Sequence, residues 1–308
     1  MISFQSILYI ALLLICFIPS ITPVHALCFG ISFSLFCGNP FAQQSSWLSQ
    51  RLLKLSVVGL GFGLSINEVW QVGKNSIGLT FIAIISTIAV GILFGRLLKI
   101  DPITSGLISC GTAICGGSAI AAMVPVLQAK NNQSAIALST VFILNAVALV
   151  VFPIIGHQFD LTQHQFGLWA GMAIHDTSSV VGAAASYGDE ALHFATTVKL
   201  TRALWIAPLA LAAGLLFKAE KRPALPLFIA GFILAAIIRS QLPTLEPLWN
   251  TLSIIAKQCL AATLFLIGSG LSRQLLKTTG IRPLIHGIAL WIIVSGITLF
   301  LIQEHWIS

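Results

Sequence analysis

Apolar residues in this chain do not alternate with polar ones. They run in long blocks, parted by short polar stretches. A helix that crosses a bilayer needs about 20 residues, within a range of about 17–25. On that measure the blocks predict eleven spans, near 4–22, 24–38, 52–72, 76–98, 105–128, 133–156, 165–187, 191–217, 224–240, 252–272 and 281–302. The second is short, and Pro40 ends it. Runs such as 79–95 and 134–155 are too long and too uniformly apolar for barrel strands, which alternate between lipid and lumen. Lipid offers no partner to exposed backbone polar groups, so helices remain. The fold class is all-α: one polytopic transmembrane bundle, with approximate halves 1–156 and 165–302.

Composition narrows the class further. Of 308 residues, 57% are apolar and 8% charged, where a soluble domain carries about 25% charged residues. Mean hydropathy is +0.97. A water-soluble globule built this way would expose large apolar patches, which excludes a cytosolic enzyme, a nucleic-acid binder and a disordered chain. The +7 net charge does not point to nucleic acid, because the basic residues mostly sit singly between apolar runs.

Those charges set an orientation, since Lys and Arg gather on the cytoplasmic side. Alternate connections hold Arg51, Lys54, Arg96, Lys99, Lys218, Lys221, Arg222, Arg273, Lys277 and Arg282. The opposite connections hold Lys74, Lys130 and Arg239. With eleven spans the N-terminus is then cytoplasmic and the C-terminus periplasmic. Ten spans is the alternative, because prolines part the short first two. Val24-His25-Ala26 imitates a signal cleavage site, but no Lys or Arg precedes the apolar run, which favours a retained first span. The six cysteines show no zinc spacing and read as free thiols acting as small hydrophobes.

Gly63-Leu64-Ser65 matches Gly270-Leu271-Ser272 at an offset of 207, and Gly73 matches Gly280 at the same offset. The charge count sends these two segments through the membrane in opposite directions. That is the pattern of an inverted repeat, common in secondary transporters.

Three segments sit badly with plain lipid packing. Ser109–Ile120 is small and weakly polar throughout, with adjacent Gly116 and Gly117. Each glycine lowers helix propensity by about 1 kcal/mol, so a break is expected, freeing backbone groups to hold a solute beside Thr112, Cys115 and Ser118. Close helix–helix packing through small residues is the plainer reading. Gly171–Gly182 places His175, Asp176, Ser178 and Ser179 in an apolar frame. A carboxylate at membrane depth normally faces a partner or a wet cavity; a structural polar cluster is the alternative. Lys199 and Arg202 are three apart on one helix face, with no acidic residue near enough on that helix to pair with them. They either face an anion or a distant acid, or snorkel to the interface. Asn145, mid-span, is interhelical glue or a cavity residue.

Taken together these features resemble the UPF0324 (YeiH-type) family of bacterial inner-membrane proteins, to which sulfate export has been ascribed. The resemblance rests on Gly61-Phe62-Gly63-Leu64-Ser65, on Cys115-Gly116-Gly117-Ser118-Ala119-Ile120-Ala121-Ala122, and on Phe166-Gly167-Leu168-Trp169-Ala170-Gly171. It continues through Ile174-His175, Gly188-Asp189-Glu190-Ala191 and Val198-Lys199-Leu200-Thr201-Arg202. Where the family pattern carries Glu after Ile-His, this chain has the shorter Asp176. Ala113 stands where a hydroxyl is usual. The resemblance implies multi-pass insertion in the inner membrane and secondary transport.

The expected function is transport of a small anion, such as sulfate or a carboxylate, by alternating access. Discontinuous helices around 109–120 and 171–182 would line a central cavity. Lys199 and Arg202 would attract the anion, and His175 with Asp176 would couple H+ or Na+. An ion channel, an intramembrane enzyme and a structural membrane protein are the alternatives. No catalytic signature, metal site or cofactor is expected. The expected partners are lipids, a small anionic solute and, for a homo-oligomer, further copies of the chain.

Overall fold

The computed structural model describes residues 4–18, 21–217, 227–270 and 280–307. Among them the chain is helical almost throughout: α1 (Phe4–Ile15), α2 (Pro23–Cys37), α3 (Ala42–Gly61), α4 (Ile66–Leu97), α5 (Pro102–Ala113), α6 (Gly117–Val126) and α7 (Asn131–Gln158). Then follow α8 (Gln163–Ala173), α9 (Thr177–Tyr187), α10 (Asp189–Leu204), α11 (Ile206–Phe217), α12 (Leu227–Gln241), α13 (Glu246–Ser269) and α14 (Ile281–Gln303). Five described helical stretches are long and apolar enough to cross a membrane: Ile66–Leu97, Asn131–Gln158, Asp189–Leu215, Pro243–Ser269 and Ile281–Gln303. The chain is an all-α, multi-spanning membrane bundle with discontinuous helices.

Two expected spans do not cross. The segment 105–128 divides into α5 and α6, which lie antiparallel. A Cβ on Gly111 would meet Ile120 Cδ1 at 2.9 Å, and one on Gly106 would meet Leu127 Cδ1 at 3.7 Å. The segment 165–187 divides into α8 and α9, which also fold back. Phe166 and Tyr187, near their two far ends, stack at 3.8 Å, and the Tyr187 hydroxyl donates to the Leu161 carbonyl at 2.6 Å. At 1.5 Å per residue each half-helix is about 15–18 Å long, half a hydrocarbon core. Both segments are re-entrant hairpins, permitted within lipid only because protein surrounds their turns.

The hairpins enter from opposite faces, and α7 measures the gap between them. Gln133, at its start, donates to Asp101 at the base of the first hairpin at 2.8 Å. Gly156, near its end, abuts Phe166 and Tyr187 at the base of the second. The 23-residue stretch between is about 35 Å long. Lys130 therefore returns to the face that carries Arg96 and Lys99, and leaves the minority side of the charge count. In a background cleared of native thiols, Lys130→Cys and Lys99→Cys are expected to react with an impermeant maleimide from the same side of the membrane. Labelling from opposite sides would show that α5 and α6 cross after all.

The expected span 52–72 is also divided, between α3 and α4. Ser65 and Glu68 form a capping box: the Ser65 N–H donates to Glu68 Oε2 at 2.8 Å and the Glu68 N–H to Ser65 Oγ at 3.2 Å. The reciprocal bonds satisfy two orphan N–H groups and start a new helix there. Arg51 and Lys54 consequently lie within α3 and not in a connection.

Close backbone approach explains the glycines before this turn. A Cβ on Gly61 would sit 2.5 Å from the Phe232 carbonyl of α12, and one on Gly59 2.6 Å from Ala256 Cβ of α13. At the other end Tyr9 bonds Ser45 of α3 at 2.7 Å and Ser269 of α13 at 2.8 Å. So α3 and α13, which carry the two glycine-rich segments, run antiparallel. Leu271 and Ser272, needed to extend that match, lie outside the described residues, as do Lys218, Lys221, Arg222, Arg273 and Lys277.

Candidate functional site

The turns of the two hairpins meet tip to tip beside the middle of α7. A Cβ on Gly116 would lie 3.2 Å from Asp176 Cα and 3.2 Å from Val141 Cγ1. Gly116 holds φ +63° and ψ −124°, a backbone region that side chains disfavour. The first tip is Ile114-Cys115-Gly116 and the second Ile174-His175-Asp176. Asp176 caps α9: its Oδ2 accepts the Ser178 N–H at 3.1 Å and a short bond from the Ser178 hydroxyl. An Asp followed by Thr and two Ser is a strong helix-start signal, and it fixes where the second hairpin turns. Asn145 Oδ1, on α7, accepts the Asp176 N–H at 3.2 Å.

Behind the tips lie Lys199 and Arg202 on α10, both 0% exposed. Parallel packing of α10 on α8 carries them there. A Cβ on Gly167 would meet Phe194 Cβ at 3.1 Å, and one on Gly171 would meet Val198 Cγ1 at 2.9 Å. Lys199 Nζ donates to the Ile174 carbonyl at 2.5 Å. Arg202 Nη1 donates to the Met172 carbonyl, and Nη2 to the Ala113 carbonyl, with the Thr112 carbonyl at 3.5 Å. The last four carbonyls of any helix lack internal partners and carry the negative end of its dipole. One guanidinium thus closes the C-terminal ends of both α5 and α8, and the ammonium closes the chain just beyond α8. The absence of an acid on the same helix face is resolved by backbone acceptors from two other elements. Snorkelling does not occur.

The expected residues converge, with different exposures. Thr112, Cys115, Gly116, Asn145, His175, Ser178 and Ser179 are buried around the junction. Asp176 and Gly117 are half-buried and Ser118 is exposed, so the N-terminal end of α6 is the accessible side. That end has no side-chain cap. Several buried polar atoms here have no hydrogen-bond partner among the described residues: Thr112 Oγ1, Asn145 Nδ2, both His175 ring nitrogens and Arg202 Nε. A buried polar group without a partner costs about 1–3 kcal/mol, so this concentration marks a place where stability has yielded to another demand. A cavity of about 380 Å³ lies elsewhere, among residues that include Ser76, Leu168, Phe194 and Trp306; no tip residue lines it. Among the described residues no group of three or more His, Cys, Asp and Glu is placed to hold a metal ion.

The sequence reading missed the carbonyls of Ala113, Met172 and Ile174, since any residue type supplies one. It also missed the polar fastenings at the hairpin bases. Gln163 Oε1 accepts the N–H groups of Glu190 and Ala191 at 3.0 and 3.3 Å, tying the second hairpin to the start of α10. At the first, Asp101 accepts the Thr104 N–H and hydroxyl at 2.9 and 3.0 Å. Slight burial opposes the Asp101 charge, but these bonds and the one from Gln133 outweigh it and hold the carboxyl below its ordinary range. Asp101→Ala is expected to destabilise the protein by about 1 kcal/mol, read as an earlier thermal transition in detergent. A depressed folded-state carboxyl adds stability above its unfolded value, about 3.9, and loses it as pH falls through the lower folded value. The gap between wild type and variant should therefore close in acid; a gap that widened there would contradict the sign.

Known proteins match this chain over most of its length. The family profile described as "Conserved hypothetical protein 698" matches residues 2–287. The UPF0324 membrane protein of Geobacter sulfurreducens is 53% identical over 295 residues, covering 96% of this chain and 95% of its own. That of Bdellovibrio bacteriovorus is 47% identical over 301 residues, covering 96% and 93%. The one from Bacteroides thetaiotaomicron is 50% identical over 282 residues, covering 91% and 86%. No solved structure matches.

Proposed function

The chain belongs to the UPF0324 family of membrane proteins, and on that premise we propose that it is a secondary carrier of a small anion in the bacterial inner membrane. The observation that carries the reading is the tip-to-tip meeting of two re-entrant hairpins, with Lys199 and Arg202 buried behind the contact. Half-helices ending at mid-membrane offer polar backbone ends to a solute where a continuous helix would offer none.

The anion binds on the accessible side, at the first turn of α6. There half-buried Gly117 and exposed Ser118 open the helix at an uncapped start, where backbone N–H groups lack internal partners and the dipole favours negative charge. In their ordinary ionised forms Lys199, Arg202 and Asp176 leave one surplus positive charge at the junction, and an anion balances it. Asn145 Nδ2 and His175 supply further donors once the tips part. Behind the tips the groups are sealed: Thr112 and His175 are each 1% exposed. Passage therefore requires the two hairpins to move relative to each other, which favours alternating access over a standing pore. Asp176 is partly exposed, its carboxylate accepting the Ser178 N–H and hydroxyl and the Ser179 N–H, and in this reading it exchanges a proton during that movement.

The test is flux in proteoliposomes with a panel of labelled sulfur oxyanions, carboxylates and halides, with and without an imposed pH gradient. Saturable flux of one anion class, changed in its pH dependence by Asp176→Asn, is expected. Stepwise single-channel currents would replace the carrier with a channel. Equality with protein-free vesicles for every anion would end the reading.

A further inference from the structure

The same junction also has a cation side, whose consequence in transport, though not its chemistry, rests on the carrier reading. Backbone carbonyls at the ends of broken helices, together with a nearby carboxylate, are the usual ligands for a coupling Na+ at mid-membrane. This junction has that ligand set: the Ala113, Met172 and Ile174 carbonyls and the Asp176 carboxylate. Here, however, the carbonyls already have covalently attached cations on them. The Lys199 ammonium sits 2.5 Å from the Ile174 oxygen, and the Arg202 guanidinium bridges the Met172 and Ala113 oxygens. Both side chains are 0% exposed, so neither is a surface group that swings aside when a hydrated ion arrives.

We infer that Lys199 and Arg202 are resident substitutes for alkali cations, that the junction binds no Na+, and that transport through it does not depend on Na+. Two positive charges already lie between the half-helix ends. A third, mobile one would meet their repulsion and would find each of these carbonyls already accepting a bond from a fixed cation. Asp176 is the sole carboxylate among the residues that meet at the tips, and it spends one oxygen on the Ser178 N–H and hydroxyl. Removing the ammonium reverses the situation at one point. The Ile174 carbonyl then loses its donor beside a carboxylate that has lost a neighbouring cation, and that pair becomes a site for Na+.

The experiment compares thermal unfolding of purified wild type, Lys199→Ala and Lys199→Ser in NaCl and in choline chloride at equal ionic strength. The serine variant offers a hydroxyl oxygen as an extra ligand and keeps the test open if alanine alone folds poorly. Wild type is expected to unfold at the same temperature in both salts. The variants are expected to unfold at lower temperature in choline and to regain about 2 °C in about 100 mM NaCl, saturably, for a Kd on the order of 10 mM. A Na+-specific, saturable rise in the wild-type Tm would overturn the inference. So would variants that respond equally to both salts, or a wild-type flux that stops when choline replaces Na+. If no anion is carried but the Tm pattern holds, the carrier reading falls and the resident-cation assignment stands.

Discussion

Arg202→Ala is expected to destabilise the protein severely, by roughly 2–6 kcal/mol, and to abolish transport with it. The guanidinium serves two hairpins that approach from opposite faces, through Met172 on α8 and Ala113 on α5. Its loss leaves two helix-end carbonyls buried without donors, each costing about 1–3 kcal/mol. That is a large share of a total stability of about 5–15 kcal/mol. Lysine does not repair the loss, because a single ammonium on a flexible stem lacks the fork that reaches both carbonyls. Arg202→Lys should therefore unfold between wild type and Arg202→Ala. Lys199→Ala should cost less than Arg202→Ala, since it frees only the Ile174 carbonyl. Thermal unfolding in detergent ranks the three. If Arg202→Ala unfolded with wild type while losing only anion binding, Arg202 would be a ligand for the solute and not the fastening between the hairpins.

This ordering differs from what the residue types suggest, and the difference shows where the sequence runs out. Lys199 and Arg202 on one helix face, with no acid beside them, announce a partner elsewhere, and convergence on the 109–120 and 171–182 segments followed from the same reasoning. The partners themselves are main-chain oxygens, which leave no trace in residue identity. The helix breaks were legible too: Gly116-Gly117 weakens one helix, and Asp176-Thr177-Ser178-Ser179 starts another. Their consequence was not. An apolar block of about 24 residues looks the same whether it crosses the bilayer or turns back on itself, because both forms bury the same side chains in the same medium. The one sequence-level hint was Lys130, a positive charge on the wrong side for eleven crossings and on the majority side once α5 and α6 form a hairpin. Ser65-Ile66-Asn67-Glu68 was a legible helix start, but block length alone passes over it.

Gly116 provides the sharpest separation between a packing glycine and a working one. Gly116→Ala is expected to lower anion flux at least tenfold while the protein still inserts and folds. The substitution meets two obstacles at once. The alanine must hold φ +63° with ψ −124°, at a cost of roughly 1–3 kcal/mol, and its Cβ must fit 3.2 Å from Asp176 Cα and Cβ. The cheapest relief is to draw the two tips apart, which moves Asp176 away from the start of α6 and opens the junction where the solute is held. A tenfold loss corresponds to about 1.4 kcal/mol, inside the strain available. Gly117→Ala is the control, one residue away in the same motif: it keeps the backbone N–H at the anion-binding helix start and adds only a Cβ. Gly117 lies within α6, and its added Cβ would meet Phe142 ring carbons at 3.3 Å and beyond, a side chain with room to adjust. It should therefore keep near wild-type flux and gain helix propensity. If small size for helix packing were the whole reason for this glycine pair, the two alanines would behave alike. Equal flux from both variants would remove the tip contact from the transport mechanism.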